Sequence, residues 1–91
     1  MSDIYYIKSD RIKIIFHMSD NQYSCYMKLD DVSQKLNKNF IRVHQSYIVN
    51  MDKIKGVETG TVMLKKDMVI PISSSRVKKV VECVKEYMRI M

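Results

Sequence analysis

Gln45 carries the most specific chemistry that the residue types of this chain allow. A side-chain amide presents a donor beside an acceptor, so it can pair bidentately with N6 and N7 of adenine in the major groove of duplex DNA. It stands in Phe40-Ile41-Arg42-Val43-His44-Gln45-Ser46-Tyr47-Ile48-Val49-Asn50, where apolar and hydrogen-bonding side chains alternate, break at Gln45-Ser46 and resume. Taken alone, a glutamine in a turn is more simply a solvated side chain. Ser46 can donate to a phosphate oxygen or cap its own turn, and the residues leave both uses open. A second group is Ser73-Ser74-Ser75-Arg76-Val77-Lys78-Lys79, which combines hydroxyls and cations at a helix start, where the exposed amides favour an anion. Its plainer use is a serine cap followed by a solvated cationic face.

Catalysis finds no assembled set of groups. The chain has no Gly-rich phosphate loop, no HExxH and no GxSxG. Asp30 and Asp31 adjoin at a helix start, where capping explains them. His17 and His44 have no Ser, Cys or carboxylate partner at a catalytic spacing. His44 is expected to be a hydrogen-bonded scaffold group, and Asn50 to bond backbone near a strand end. Arg42 points either into the fold or outward. Cys25 and Cys83 lie too far apart in sequence for a CxxC pair or a zinc cage and read as small apolar residues of a reduced compartment. We expect no metal, no cofactor and no enzymatic activity.

The elements that would position these groups are mostly β. Alternation with period two runs through Arg11 to His17 and Gln22 to Met27, divided by the turn-prone Ser19-Asp20-Asn21. In the central segment, Phe40, Arg42 and His44 share one strand face, with Ile41 and Val43 on the other. Strands are expected at Ile54 to Val57, Thr61 to Leu64 and Val69 to Ile72, separated by Glu58-Thr59-Gly60 and Lys66-Asp67. Leu29, Val32 and Leu36 recur at helical spacing, which predicts a short internal helix ending near Asn37. Arg76 to Met91 places Val77, Val80, Val81, Val84, Tyr87, Met88 and Met91 on one stripe, which predicts an amphipathic C-terminal helix capped by one of the serines.

Composition narrows the partner. A length of 91 residues suits one domain, in which about 60% of the unfolded surface is buried, and the 46% apolar content argues against disorder. Sixteen Lys and Arg against ten Asp and Glu give a net charge of +6, which favours a polyanion such as nucleic acid or an anionic surface. No apolar run approaches the roughly 20 residues of a membrane span, and the N-terminus lacks the hydrophobic core of a secretory signal. The chain is read as cytoplasmic.

The Phe40 to Asn50 segment resembles the signature of the LytTR family of bacterial DNA-binding domains: an aromatic residue, Arg-x-His, a polar residue, then Ser-aromatic-aliphatic-Val-Asn. The resemblance extends to Asp3-Ile4-Tyr5-Tyr6-Ile7 as the first strand, to Leu29 to Leu36 as the short helix, and to Met51-Asp52-Lys53-Ile54 and Val69-Ile70-Pro71-Ile72-Ser73 downstream. It implies a mostly-β domain of short hairpins with a small internal helix and a C-terminal helix, spanning residues 1–91. The family usually has a further strand or two before Asp3, so the chain reads as cut from a longer protein or as a natural short form. It also implies contact of Gln45 and Ser46 with DNA, and of a second loop near Ser74 and Ser75. There the family often carries a basic residue and this chain has serines, so Arg76 substitutes from the next position or the loop reads phosphate only. Lys78 and Lys79 follow as phosphate ligands. A third contact loop maps to Ser9-Asp10-Arg11, where Arg11 can address O6 and N7 of guanine.

The function the resemblance implies is sequence-specific binding of double-stranded DNA. The chain would be a transcription regulator, or the output domain of a two-component response regulator whose receiver domain lies outside it. Two copies are expected on one operator, because one module of this size covers little DNA, and the resemblance implies that their adjacent half-sites are direct repeats. Two other classes compete. A basic β module with six tyrosines can stack single-stranded RNA, although Tyr5, Tyr6, Tyr23, Tyr26 and Tyr47 fall on apolar-rich strands where core packing is their expected use. The C-terminal helix, with Met88 and Met91 at its end, can instead dock a partner protein.

Overall fold

A computed structural model of the protein describes residues 3–90. In chain order it contains β1 (Ile4–Asp10), β2 (Lys13–Met18), β3 (Gln22–Cys25), α1 (Leu29–Ser33), β4 (Phe40–His44), β5 (Tyr47–Asn50), β6 (Ile54–Glu58), β7 (Thr61–Leu64), β8 (Met68–Pro71) and α2 (Val77–Ile90). Single 3-10 turns at Met51–Lys53, Lys65–Asp67 and Ser74–Arg76 connect them. The strands form a five-stranded sheet in the order β3-β2-β1-β5-β4 and a three-stranded sheet in the order β6-β7-β8. All pairings are antiparallel. The fold class is the mostly-β arrangement expected from the alternation; Met91, expected on the apolar stripe of the last helix, lies outside the described residues.

The larger sheet is apolar on both faces, and each face has its own cover. Ile4, Ile7, Ile14 and Ile48 meet Leu29 and Val32 of α1 on one side. On the other, Tyr5, Val43 and Val49 join Ile54, Val62, Leu64 and Ile70 of the small sheet with Val80 and Val84 of α2. Burial of this apolar area is the main stabilising term, at about 25 cal/mol per Å² removed from water. Two β-bulges sort the side chains between these cores. At Tyr5 the β1–β2 register shifts, so both Tyr5 and Tyr6 pack toward α2 and Ile7 returns to the α1 side. Pro71 is tolerated because β8 is an edge strand, where the missing N–H breaks no ladder.

Several local outcomes differ from the sequence expectation. The internal helix stops at Ser33 rather than near Asn37; a turn closed by Lys35 N–H to Val32 O at 2.9 Å carries Leu36 to the core without helix. Ser9 and Asp10 belong to β1, paired with Ile14 and Lys13, so the first loop shrinks to Arg11-Ile12. Ser73 occupies the N-cap before the last 3-10 turn without a side-chain hydrogen bond, so the serine cap is absent there. Tyr23 and Tyr26 are not core residues: they are 60% and 78% exposed, because β3 is the uncovered edge of the large sheet and Tyr26 follows it.

Asn50 ties β1 and the start of β4 to the turn that leaves β5. It is fully buried; Nδ2 donates to Ile4 O at 2.8 Å, while Oδ1 accepts from Asp52 N–H at 2.9 Å and from Asn39 Nδ2 at 3.0 Å. Tyr87 Oη of α2 donates to the Asp52 carboxylate, extending the network to the last helix and raising the phenol pKa through that bond. The expected structural role of Asn50 is therefore observed, with one side chain satisfying backbone from the first strand and the inter-sheet turn.

Candidate nucleic-acid interface

A second bulge shapes the β4–β5 turn. Arg42 pairs with Ile48 and His44 with Tyr47, which leaves Val43 as the extra residue. Phe40 and Arg42 lie on the α1 side, but the bulge turns His44 to the opposite face, where its ring meets Tyr47 edge-on at 5.5 Å. The shared face expected for Phe40, Arg42 and His44 is thus broken at His44. The extra residue also lets Val43 stay in the core while the chain turns outward directly after it.

The turn is braced from inside by side chains of its own signature. Arg42 Nε donates to His44 O at 3.2 Å, and Arg42 Nη2 to Gln45 O at 2.6 Å. Arg42 Nη1 donates to the Asp30 carboxylate of α1. His44 Nδ1 accepts the Ser46 N–H at 3.0 Å, which places the ring proton on Nε2 in this arrangement. His44 is therefore the hydrogen-bonded scaffold expected, and Arg42 is resolved as a brace. With its backbone held at these points, Gln45 is exposed at the turn. Its neighbour Ser46 is half-buried.

Backbone hydrogen bonds lace two further loops to this turn. Ser9 N–H donates to Ser46 O at 2.8 Å, bringing the Arg11-Ile12 turn alongside. Ser73 N–H donates to Val43 O at 2.9 Å, docking the β8–α2 connection on β4. Arg11, Gln45 and Ser46 line one shallow hollow with Lys28, Asp30 and Arg42. Arg76 reaches it electrostatically: the Asp30 carboxyl is held below its ordinary range first by the Arg42 hydrogen bond and charge, then by Lys28 and Arg76. Arg11 adopts φ 59°, a left-handed conformation uncommon for a residue with a Cβ, and is exposed. Such a conformation turns the chain tightly enough to present the side chain at the tip.

Of the residues expected from sequence, Arg11, Gln45 and Ser46 come together. Ser74 and Ser75 are exposed in the 3-10 turn, and Lys78 and Lys79 are exposed at the start of α2; none of these four lines the hollow. Arg76 is half-buried. Sequence reasoning missed Lys28 and Asp30, and it missed Ile12, which is 75% exposed at the hollow's rim. An isoleucine between Arg11 and Lys13 was legible only as part of an alternating strand.

Below the turn, aromatic rings continue the support. Tyr47 tilts against Tyr6 at 6.1 Å, and Tyr6 stacks on His17 at 4.3 Å and 10°. Burial and then Lys8 lower the His17 pKa, and its Nε2 is buried without a partner. Among the described residues there is no group of three or more His, Cys, Asp or Glu able to hold a metal, and no helix long and apolar enough to cross a membrane.

The family model of the LytTr DNA-binding domain matches residues 1–85. No curated protein matches the sequence. Among solved structures, the fold is similar to the LytTr DNA-binding domain of a Bacillus cereus protein described as a methyl-accepting/DNA response regulator. That likeness has a TM-score of 0.82 at 22% identity and covers 91% of this chain and 82% of the other.

Proposed function

The chain belongs to the LytTr DNA-binding domain family, and from that premise we propose that it reads duplex sequence through Gln45, carried on the braced β4–β5 turn. The observation that carries this is the lacing of three connections, by Ser9 to Ser46 and Ser73 to Val43, around an exposed Gln45. Arg11 and Ser46 would lie against the same stretch of DNA. In this reading Ser74, Ser75, Arg76, Lys78 and Lys79 form a flanking contact that holds phosphate, the helix start and its cations fixing register without reading bases. The arrangement is a loop reader, in contrast to domains that lay a helix in the major groove.

We read residues 1–91 as one binding module without catalytic activity, serving as a transcription regulator or as the output domain of a response regulator. The similar Bacillus cereus domain, which comes from a response regulator, supports that second setting. Two copies follow from size, since a module like this buries about 600–1,000 Å² on DNA and seldom reaches nanomolar affinity alone; that the half-sites are adjacent direct repeats is what the family resemblance implies. The test is selection of bound duplexes from a random pool. A recurrent sequence element, preferred over random duplex and over RNA of the same sequence, is expected; a pool that stays random would overturn sequence reading.

A further inference from the structure

We propose that Asp30 is a specificity-determining residue: an acid placed among the cations of the interface, holding Arg42 to the β4–β5 turn and away from phosphate. The proposal rests on the reading that this turn faces DNA. A carboxylate in a polyanion site opposes binding by simple charge repulsion. Its presence beside Arg11, Lys28 and Arg42 therefore calls for a compensating role.

Stability does not supply that role. The Asp30 side chain is 78% exposed and that of Arg42 23%, and an ion pair with one partner so open to water adds little to folding. Geometry does supply it. The guanidinium is a rigid planar fork, so fixing one of its ends fixes the others. With Nη1 on Asp30, Nε and Nη2 meet the consecutive carbonyls of His44 and Gln45. Asp30 is itself rigidly based: Leu29 and Val32 bury the helix that carries it, and Ser33 Oγ donates to its carbonyl oxygen at 2.8 Å. Its carboxyl is held below the ordinary range by Arg42 and then by Lys28 and Arg76, so the charge persists through the neutral range.

Removal of the charge acts in two directions. Without Asp30 the Nη1 end of the Arg42 fork has no partner and is open to a phosphate, which tightens binding to every duplex alike. The Gln45 carbonyl is then held by a fork with one anchor fewer, and the amide loses its register on the base. Repulsive elements of this kind exchange affinity for discrimination.

The experiment titrates Asp30→Asn, Asp30→Glu and Asp30→Ser against the duplex selected by the wild-type chain and against a random duplex of equal length, across a salt series. For Asp30→Asn and Asp30→Ser we expect about threefold to tenfold tighter binding to random duplex, about tenfold less preference for the selected one, and a salt slope steeper by about one. Asp30→Glu retains the charge and should stay near wild type. Thermal melting confirms folding of each variant. Unchanged preference and slope in both neutral variants, or equal weakening on both duplexes, would overturn the proposal while the wild-type preference stands. A wild-type chain that binds both duplexes equally would instead overturn the reading of the turn and the proposal with it.

Discussion

Arg42 Nη2 donates to the carbonyl oxygen of Gln45 at 2.6 Å, so an arginine of β4 holds the backbone of the exposed amide residue of the turn. A hydrogen bond to a charged donor is roughly twice as strong as a neutral one. Arg42 also serves His44 O and Asp30, which makes it a three-way junction between strand, turn and helix. The Arg-x-His spacing has a physical basis here: the arginine holds two carbonyls of the turn, and the histidine accepts the Ser46 amide. Together they fix the backbone on both sides of Gln45.

Asn50→Ala should destabilise the fold by about 2–3 kcal/mol, because it leaves Ile4 O and the Asp52 N–H without their buried partner. Chemical denaturation with urea would measure it. A loss under about 0.5 kcal/mol, the range of ordinary surface substitutions, would mean that the Asn50 network is replaceable by water.

Stability should fall on mild acidification through His17. Burial lowers its folded pKa below the ordinary 6.5, so as pH drops the unfolded chain takes up the proton first. The His17 contribution is fully present above pH 6.5 and is lost as pH falls through that value toward the folded pKa. Melting temperatures from pH 8 to about pH 5 should decline less for His17→Phe, which keeps a ring on Tyr6 and removes the titrating nitrogen. Parallel curves for the two proteins would assign the decline elsewhere.

Affinity for duplex DNA should fall steeply with salt, with a log-log slope of about −0.9 per phosphate neutralised. Removing Lys79 as Lys79→Ala should reduce the slope by about one if it is a phosphate ligand. Fluorescence anisotropy at several salt concentrations reads both. A flat dependence would exclude the cationic contacts.

Spacing tests the two-copy arrangement. Lengthening the distance between direct repeats by about five base pairs puts one copy on the opposite face of the duplex, and cooperative binding should be lost. Mass measured in solution should correspond to a monomer or weak dimer without DNA and to two chains on one duplex. Tight binding by a single chain, or indifference to spacing, would contradict it.

What the sequence made legible was local. Alternation in Lys13 to Met18 and Thr61 to Leu64 is a direct image of strands with one side facing a core. The stripe of Val80 and Val84 likewise announced the buried face of α2. Bulges were not legible, because the extra residues Tyr5 and Val43 are themselves apolar and sit without a break in the pattern. Consequently the face of His44 was misplaced. The Arg42 junction with Asp30 was invisible for another reason: the partners lie twelve positions apart on different elements, and only the packing of α1 on the sheet brings them together. Gln45 stood out because its residue type, turn position and signature spacing coincide.

The central claim is that Gln45 reads a base from a turn held by Arg42, and the direct measurement is a paired titration of Gln45→Ala and Lys78→Ala on the selected duplex and on random duplex. Gln45→Ala should cost about 1–3 kcal/mol on the selected duplex and leave random binding nearly intact, because it removes a base-edge contact. Lys78→Ala should weaken both duplexes alike. Equal loss on both duplexes with Gln45→Ala, or no loss on the selected one, would contradict the account.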